Sequence, residues 1–424
     1  MLKIRVLGGG GEVGRAAFLV EDGQQKFLLD YGINLDEKDM PRLPLHVRPA
    51  EITALVLSHA HLDHTAAAPY LYITGRPKAF STRPTLDVAR LLTMDFLKLN
   101  AAVIEYDMRE FENLYNNTVF LDYGESYEEE GFKLVFSSAG HIIGSSMTYL
   151  ETSSGRRLMY TGDVNDVDTW TLGGAEILDT RVDTIIIEST YGGRSHPPRY
   201  AVEEKLIEII EETLDKKGTV LIPAFSVGRS QEIASIIAHK APYVEVYVDG
   251  MVKDVTDVYL RHARFLRDPV AFKKTYETVN FVASFKDRKR IVNTPCVIIA
   301  SAGMLKGGPS LYYFKKLYQN PRNSIVLVSY QAPSSNGHKI LEAGEIPELN
   351  TGRIEARVEW LDFSSHAGRE GLLRILSKYK SVVGNIVIVH GEPEEAESLK
   401  NTIIEKLDSD INVYTPSVGS EIVV

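Results

Sequence analysis

The sequence of 424 residues contains a single cysteine, Cys296. It therefore excludes an intrachain disulfide framework and any metal site built from several thiolates. It has no run of about 18 apolar residues, as a membrane span needs, and its start lacks the apolar core of a signal peptide. Basic residues are not in excess, since 47 Lys and Arg stand against 57 Asp and Glu, a net charge of −10. We expect a cytoplasmic protein whose metal ligands are His and carboxylates.

Two patterns of secondary structure alternate along the chain. Short strands and Gly-rich turns dominate residues 1–195 and return after residue 349. Between them, strands alternate with amphipathic helices such as Ala201–Leu214, which favours a parallel α/β sheet. The pattern predicts an α/β protein in which one domain, formed by residues 1–195 and 349–424, is interrupted by another at 196–348.

The most specific chemical pattern, Ser-His-Ala-His-Leu-Asp-His, follows the apolar strand Ala54–Leu57 directly. His59 and His61 are two residues apart in extended backbone, so their side chains point the same way. Asp63 and His64 come where the chain turns into a helix, and they can face a second metal ion. Imidazole and carboxylate groups suit zinc best, with manganese as the alternative.

With three further motifs in the same order, this pattern resembles the metallo-β-lactamase superfamily. The motifs are Phe-Leu-Leu-Asp-Tyr-Gly at Asp30, Ala-Gly-His-Ile-Ile-Gly-Ser at His141 and Tyr-Thr-Gly-Asp at Asp163. The resemblance implies an αββα sandwich with two metal sites. One site would be held by His59, His61 and His141, the other by Asp63 and His64, and Asp163 would bridge them. Asp30 would orient a ligand imidazole through its ring N–H.

Motifs farther along are similar to those of the β-CASP ribonucleases, and this resemblance covers essentially the whole chain. Glu188 stands where the family has motif A, His366 motif B and His390 motif C. The chain is most similar to the compact archaeal and bacterial relatives of the cleavage-and-polyadenylation endonuclease and of RNase J, without KH domains. The resemblance makes 196–348 an inserted β-CASP domain on a mainly parallel sheet. It adds His390 to the second metal site.

The resemblance implies a zinc-dependent endonuclease for single-stranded RNA that works through two Zn²⁺ ions and a bridging hydroxide. His366, oriented by Glu188, would act in catalysis together with Asp163, and the products would carry 5′-phosphates. A 5′→3′ exonuclease with the same site stays open, and an inactive RNA-processing scaffold is a further alternative. Candidate substrate contacts are Arg229, Ser301, Gly303, Lys306, Ser364 and Ser365.

Residues 261–290 contain nine Lys or Arg and three acids, interleaved with Phe265, Phe272, Tyr276, Phe281 and Phe285. This composition fits phosphate contacts and base stacking on a single strand. It fits equally well a solvated helix face over core aromatics, and both interpretations stay open. The C-terminal segment 411–424 is apolar for a terminus, which predicts either a strand docked on the sheet or a homodimer contact.

Overall fold

The computed structural model describes residues 2–36, 38–129, 131–379, 383–407 and 410–424. Two compact units divide the chain. The first unit consists of Met1–Asp168, Gly173–Ser195 and His366–Val424, and the second of Thr169–Leu172 and His196–Ser365. In the part of the chain that the structure describes, no helix combines the length and hydropathy needed to cross a bilayer.

The strands, in chain order, are β1 Lys3–Gly8, β2 Ala17–Asp22, β3 Gln25–Leu29, β4 Asn34–Leu35, β5 Pro41–Arg42, β6 Ala54–Val56, β7 Ala79–Ser81, β8 Thr118–Phe120, β9 Ser126–Glu129, β10 Phe132–Ser138, β11 Ser146–Thr152, β12 Arg157–Tyr160, β13 Thr184–Glu188, β14 Val220–Pro223, β15 Val246–Asp249, β16 Asn280–Phe281, β17 Val297–Ala300, β18 Ser324–Leu327, β19 Arg357–Trp360, β20 Asn385–Val389, β21 Asn412–Tyr414 and β22 Glu421–Val423. The helices are α1 Leu62–Thr65, α2 Leu71–Thr74, α3 Arg83–Asn100, α4 Met108–Asn116, α5 Arg199–Asp215, α6 Arg229–Lys240, α7 Val252–Arg261, α8 Pro269–Thr278, α9 Phe285–Ile291, α10 Gly308–Leu317, α11 Asn336–Ala343, α12 Arg369–Ser377 and α13 Pro393–Lys406.

The first unit is built on two seven-stranded sheets, ordered β22-β1-β2-β3-β6-β7-β8 and β21-β20-β13-β12-β11-β10-β9. One core cluster joins side chains of both sheets, among them Phe18 and Phe136. Strand β13 is buried on both of its faces. Its Ile186 belongs to this core, whereas Ile185 and Ile187 pack with α12 and α13 in a second core. This layering confirms the predicted α/β sandwich.

The direction of the strands positions the chemical residues of the first unit. Strands β12, β13 and β20 are neighbours and run parallel, and β10 shares their direction because both β10 and β12 pair antiparallel with β11. The carboxyl ends of these strands therefore meet at one edge of the sheet. His141, Asp163, Glu188 and His390 lie at or just beyond those ends.

The second unit contains a six-stranded sheet, ordered β16-β15-β17-β14-β18-β19, in which every neighbouring pair is parallel. The sequences Val-Leu-Ile-Pro of β14 and Val-Ile-Ile-Ala of β17 are buried at every position. Continuous apolar strands of this kind are typical of a sheet covered on both faces. The predicted parallel α/β insertion is thus present.

The second unit ends later than the sequence analysis placed the end of the insertion. The composition of residues 349–365 predicts that they belong to the first domain, but the second unit continues to Ser365. The reason is strand β19, which pairs in parallel with β18 from Ser324 opposite Arg357 to Leu327 opposite Trp360. Backbone pairing thus keeps this segment in the inserted unit, although its short-strand composition is similar to that of the first domain.

The C-terminal segment contributes one strand to the edge of each sheet of the first unit. Strand β21 pairs in parallel with β20, and β22 pairs antiparallel with β1. Of the two alternatives, the docked strand is therefore the one that the structure contains. Self-association through this segment stays a prediction.

Replacing Ile186 by alanine is expected to destabilise the first unit by about 2–5 kcal/mol, because it opens a cavity at a fully buried position. Thermal unfolding followed by circular dichroism measures the effect. Ile404→Ala is the matched control, since Ile404 of α13 is 51% exposed and surface changes usually stay within about 0.5 kcal/mol. Equal losses in both variants would contradict this assignment of the core.

Candidate metal centre

The chain changes from extended to helical backbone inside the Ser-His-Ala-His-Leu-Asp-His motif. Strand β6 ends at Val56, and His61 is the N-cap of the short helix α1, which contains Asp63 and His64. The change of backbone sends the two pairs of side chains in different directions. His59 and His61 enter one cluster of ligand atoms, whereas Asp63 and His64 enter another.

The first cluster combines His59, His61 and His141 with Asp163. The Nδ1 atom of His61 lies 3.2 Å from His59 Nε2 and 3.2 Å from His141 Nε2. Bonds of 2.0–2.1 Å to a tetrahedral zinc ion place two ligand nitrogens about 3.3 Å apart. The spacing of the three imidazoles therefore fits one zinc ion.

The second cluster consists of Asp63, His64 and His390. His390 Nε2 lies 3.3 Å from Asp63 Oδ2, and its other ring nitrogen, Nδ1, lies 3.2 Å from Asp163 Oδ1. The two oxygens of Asp163 face different clusters, since Oδ2 is 3.4 Å from His59 Nε2 while Oδ1 is 3.3 Å from His64 Nε2. Asp163 thus has the orientation of a bridging carboxylate.

Two buried atoms of these clusters lack hydrogen bonds. Among the described residues, His64 Nε2 and Asp163 Oδ1 are enclosed and make no hydrogen bond, although they face each other. Leaving such atoms unsatisfied in the interior is costly. A metal cation would satisfy both atoms. The residues present therefore fit the metal ions that the sequence resemblance implies.

A single buried carboxylate sets the orientation of the second cluster. Asp30 Oδ2 accepts hydrogen bonds from Ser58 Oγ at 2.6 Å, Tyr160 OH at 2.6 Å and His64 Nδ1 at 2.7 Å. Because an ionised carboxylate can only accept, the proton of this imidazole–carboxylate contact is on Nδ1 of His64. Nε2 is left directed at Asp163, in the arrangement by which a carboxylate orients a metal-ligating imidazole.

The same carboxylate acts on the first cluster through Ser58. The Ser58 hydroxyl donates its proton to Asp30, so its oxygen accepts from His59 Nδ1, 3.1 Å away. His59 then presents the lone pair of Nε2 to His61 and Asp163. The sequence analysis named Asp30 but assigned no role to Ser58 or Tyr160. The signal was available, because Ser58 and Tyr160 are the first residues of two of the ligand motifs.

Burial and charge shift the pKa values of the histidines in the two clusters in opposite directions. Burial lowers the pKa of His59 well below its usual value and also lowers that of His61, which leaves both imidazoles neutral. Burial opposes the charge of Asp163, yet the surrounding imidazoles hold its pKa well below the usual range. Burial opposes a charge on His64 too, but the carboxylates of Asp163, Asp30 and Asp63 raise its pKa well above normal. A field that favours a proton there also favours a metal cation, because the two compete for one lone pair.

His366 stands beside the clusters and is partnered differently. Its Nδ1 lies 2.9 and 3.0 Å from the two oxygens of the buried Glu188, and its Nε2 lies 3.9 Å from Asp163 Oδ2. Glu188 is itself held by the backbone N–H of Val164 at 2.8 Å. Burial works against a charge on His366, but Glu188 and Asp163 raise its pKa to about 9. The side chain is 19% exposed, whereas that of His141 is only 1% exposed.

A Gly-rich loop near the start of the chain holds His390, which the sequence analysis did not anticipate. The Gly14 N–H donates to His390 Nε2 at 3.1 Å, and Gly9 O accepts from the His390 backbone at 2.6 Å. Gly14 has φ of +93°, and a Cβ there would lie 2.8 Å from Asn34. Glycine is therefore required at this contact, and the run of glycines before β2 was the available signal.

The six candidate substrate contacts all lie in the second unit. Arg229 begins α6 and is 9% exposed, and its Nη2 reaches Ser365 Oγ at 3.5 Å. Ser364 is held by its N–H to Asp362 at 3.0 Å. Ser301, Gly303 and Lys306 follow β17 in one loop, where Gly303 O accepts from Gln331 at 3.2 Å. Contact with substrate stays a prediction for all six.

Family comparisons match three consecutive parts of the chain. Residues 10–207 match the metallo-beta-lactamase superfamily, 231–340 the Beta-Casp domain, and 351–416 the Zn-dependent metallo-hydrolase RNA specificity domain. The last match includes both His366 and His390.

Similar proteins span nearly the whole chain. "RNase aCSPSF2" of Saccharolobus solfataricus is 41% identical, over 99% of this chain and 85% of that protein. "Transcription termination factor FttA" of Pyrococcus abyssi is 35% identical, over 96% and 69%. "RNase J-like protein" of Methanocaldococcus jannaschii is 34% identical, over 99% of each. A protein of unknown function from Enterococcus faecalis, 12% identical, has a similar fold, with a TM-score of 0.61 over 100% of both chains.

We expect Asp30→Asn to weaken metal binding by about 10- to 100-fold, as loss of a ligand-orienting partner does. In either orientation the amide NH₂ would face a buried donor, either the Ser58 N–H that now bonds to Asp30 Oδ1 or the three groups that now bond to Oδ2, and the negative charge beside His64 Nδ1 would be lost. A chelator-competition titration on the full chain measures the affinity. Asp22→Asn removes another buried carboxylate, bonded to Ser154 at 2.5 Å, and should leave affinity unchanged. Equal affinity in the two variants would refute the role given to Asp30.

Proposed function

Because this chain belongs to the β-CASP family of metal-dependent ribonucleases in the metallo-β-lactamase superfamily, we propose that it is a zinc-dependent endonuclease acting on single-stranded RNA. The observation that carries the proposal is the position of His366. This imidazole, oriented by Glu188 and partly open to solvent, groups with Glu188 and Asp163 beside the two clusters of ligand atoms. The pairing combines a site for metal ions with a proton donor.

Two zinc ions are the proposed cofactors, with manganese as the alternative. His59, His61 and His141 would hold one ion, Asp63, His64 and His390 the other, and Asp163 would contact both. Such a pair supplies an activated water near neutral pH and neutralises charge on the phosphodiester. The donor set of five imidazoles and two carboxylates supports this assignment, since zinc accepts both ligand types.

His366 and Glu188 would provide the proton for the leaving group. Glu188 and Asp163 raise the pKa of His366 to about 9 against the effect of burial, and Glu188 accepts from Nδ1, so a proton on Nε2 would be the one available for transfer. In this step the activated water has already released one proton to solvent, the resulting hydroxide oxygen bonds to phosphorus, the bond from phosphorus to the 3′ oxygen breaks, and that oxygen takes the Nε2 proton; His366 regains a proton from solvent afterwards. The products are a 3′-hydroxyl and a 5′-phosphate, and the RNA 2′-hydroxyl takes no part.

Two alternatives from the sequence analysis remain as outcomes of experiment. A 5′→3′ exonuclease could use the same residues, provided that the protein binds a 5′-monophosphate end. An inactive scaffold is the weaker candidate, because each of the seven metal-ligand candidates is present and they converge in the two clusters.

Circular single-stranded RNA distinguishes an endonuclease from an exonuclease, since a circle has no end to enter. We expect the wild-type protein to linearise the circle in the presence of zinc, and His390→Ala to lose both cleavage and metal. Gel analysis and elemental analysis on the same samples provide the measurements. If only linear 5′-monophosphate RNA is degraded, the exonuclease alternative replaces this proposal. If the RNA stays intact in both assays, the inactive scaffold is the remaining interpretation.

Replacing His366 by alanine or Glu188 by glutamine should lower the single-turnover cleavage rate by about 10²- to 10⁴-fold, the usual contribution of general acid catalysis. Metal content should stay close to that of the wild type, because neither residue belongs to the two clusters that we assign to zinc. His338→Ala is the matched control, since His338 lies on α11 and contacts only Glu342 among the ion pairs described. A rate within threefold of wild type for His366→Ala would rule out its catalytic role.

A further inference from the structure

The aromatic residues of the basic segment 261–290 have two different environments in the structure. Phe265, Phe272 and Tyr276 are buried, with exposures of 9%, 2% and 8%. For these three, the interpretation as core aromatics beneath a solvated helix face is correct. Phe285 is different, because it begins α9 with 55% of its surface exposed.

Phe285 forms a small surface group with a tyrosine and a lysine, here called the Phe285 platform. Its ring lies 5.2 Å from the ring of Tyr312 on α10, at an interplanar angle of 59°. The ammonium of Lys289, one helical turn away on α9, lies 5.2 Å from the centre of the Phe285 ring. Aromatic faces combined with cations are the elements by which proteins bind single strands.

A buried carboxylate fixes the two helices that carry the platform. Asp249, only 3% exposed at the end of β15, accepts two hydrogen bonds from Arg288 of α9, at 2.7 and 2.8 Å. It also accepts one from Tyr313 OH of α10 at 2.8 Å. Arg288 is three residues from Phe285 on α9, and Tyr313 directly follows Tyr312 on α10. The platform is therefore held in place before any ligand arrives, which limits the entropy lost on binding.

The local charge selects the kind of ligand. Helix α9 has the sequence Phe-Lys-Asp-Arg-Lys-Arg-Ile, which has a net charge of +3 in a chain with a net charge of −10. Arg288 is engaged by Asp249, whereas Lys286, Lys289 and Arg290 are exposed. An exposed aromatic ring surrounded by cationic side chains, on a protein with a negative net charge, favours binding of a polyanion that also carries planar bases.

We propose that the Phe285 platform is a base-stacking subsite for single-stranded RNA, at which Lys286, Lys289 and Arg290 contact backbone phosphates. The inference rests on the proposed function in one respect, namely that RNA is the ligand. Stacking on a phenyl ring is tolerant of base identity, so the subsite would add affinity without reading sequence.

The test measures binding separately from cleavage. The full-length, metal-loaded chain carries His366→Ala so that the ligand stays intact, and fluorescence anisotropy follows a labelled unstructured RNA of about 20 nucleotides. We expect Phe285→Ala to raise Kd on the order of tenfold and Phe285→Tyr to restore binding. An abasic strand of the same length should bind both proteins alike. Lys286→Ala should lower the slope of log K against log salt concentration by about 0.7, the value for one phosphate contact on a single strand.

Tyr243→Ala is the matched control. Tyr243 is an aromatic of the same unit, 69% exposed, whose hydroxyl contacts Glu211 rather than a cation, so its loss should leave Kd unchanged. The proposal is overturned if the Kd of Phe285→Ala for RNA is within twofold of the Kd of its parent. It is also overturned if Phe285→Ala weakens binding of the abasic strand as much as binding of the normal strand. The first outcome would favour an acidic protein as the ligand of this surface. Failure of the proposed cleavage activity would be recognised separately, because RNA incubated with the wild-type protein would then stay intact, whatever the binding experiment shows.

Discussion

The buried carboxylate of Asp30 is the constraint on which the site depends. It lies just after β3 of one sheet and accepts a hydrogen bond from Tyr160 at the end of β12 in the other. Through direct contact it sets the tautomer of His64, and through Ser58 it sets that of His59. One residue therefore joins the two sheets and orients an imidazole in each ligand cluster. Packing of the sandwich and metal affinity are consequently coupled properties of this fold.

Burial and charge assign different chemistry to histidines that are only a few ångströms apart. His59 lies deep in the unit, and burial keeps it neutral, as a ligand must be. The ring of His366 lies 4.6 Å from that of His141, yet Glu188 makes it readily protonated. Between these two residues the difference arises from the partner of Nδ1, which is a serine hydroxyl for His59 and a carboxylate for His366, and from solvent access. In the proposed mechanism, this difference would let a proton donor lie beside the metal ligands.

Composition alone does not decide the environment of every residue in this chain. All the aromatic residues of 261–290 are interleaved with Lys and Arg in the sequence, but this local pattern does not specify which of them face solvent. Phe272 is in the core and Phe285 is on the surface because they belong to different helices with different neighbours. Likewise, residues 349–365 have the short-strand composition of the first domain, yet pairing between β19 and β18 places them in the second unit.

The sequence by itself determined the fold class, the order of the motifs and the types of residue available as ligands. These follow from local signals, since strand periodicity and motif spacing are properties of neighbouring residues. Only the tertiary structure decided that Asp163 presents one oxygen to each cluster, that Ser58 and Tyr160 converge on Asp30, and that Gly14 reaches His390, 376 residues away. Contacts over such separations depend on how strand ends meet at a common sheet edge, and no local pattern encodes that.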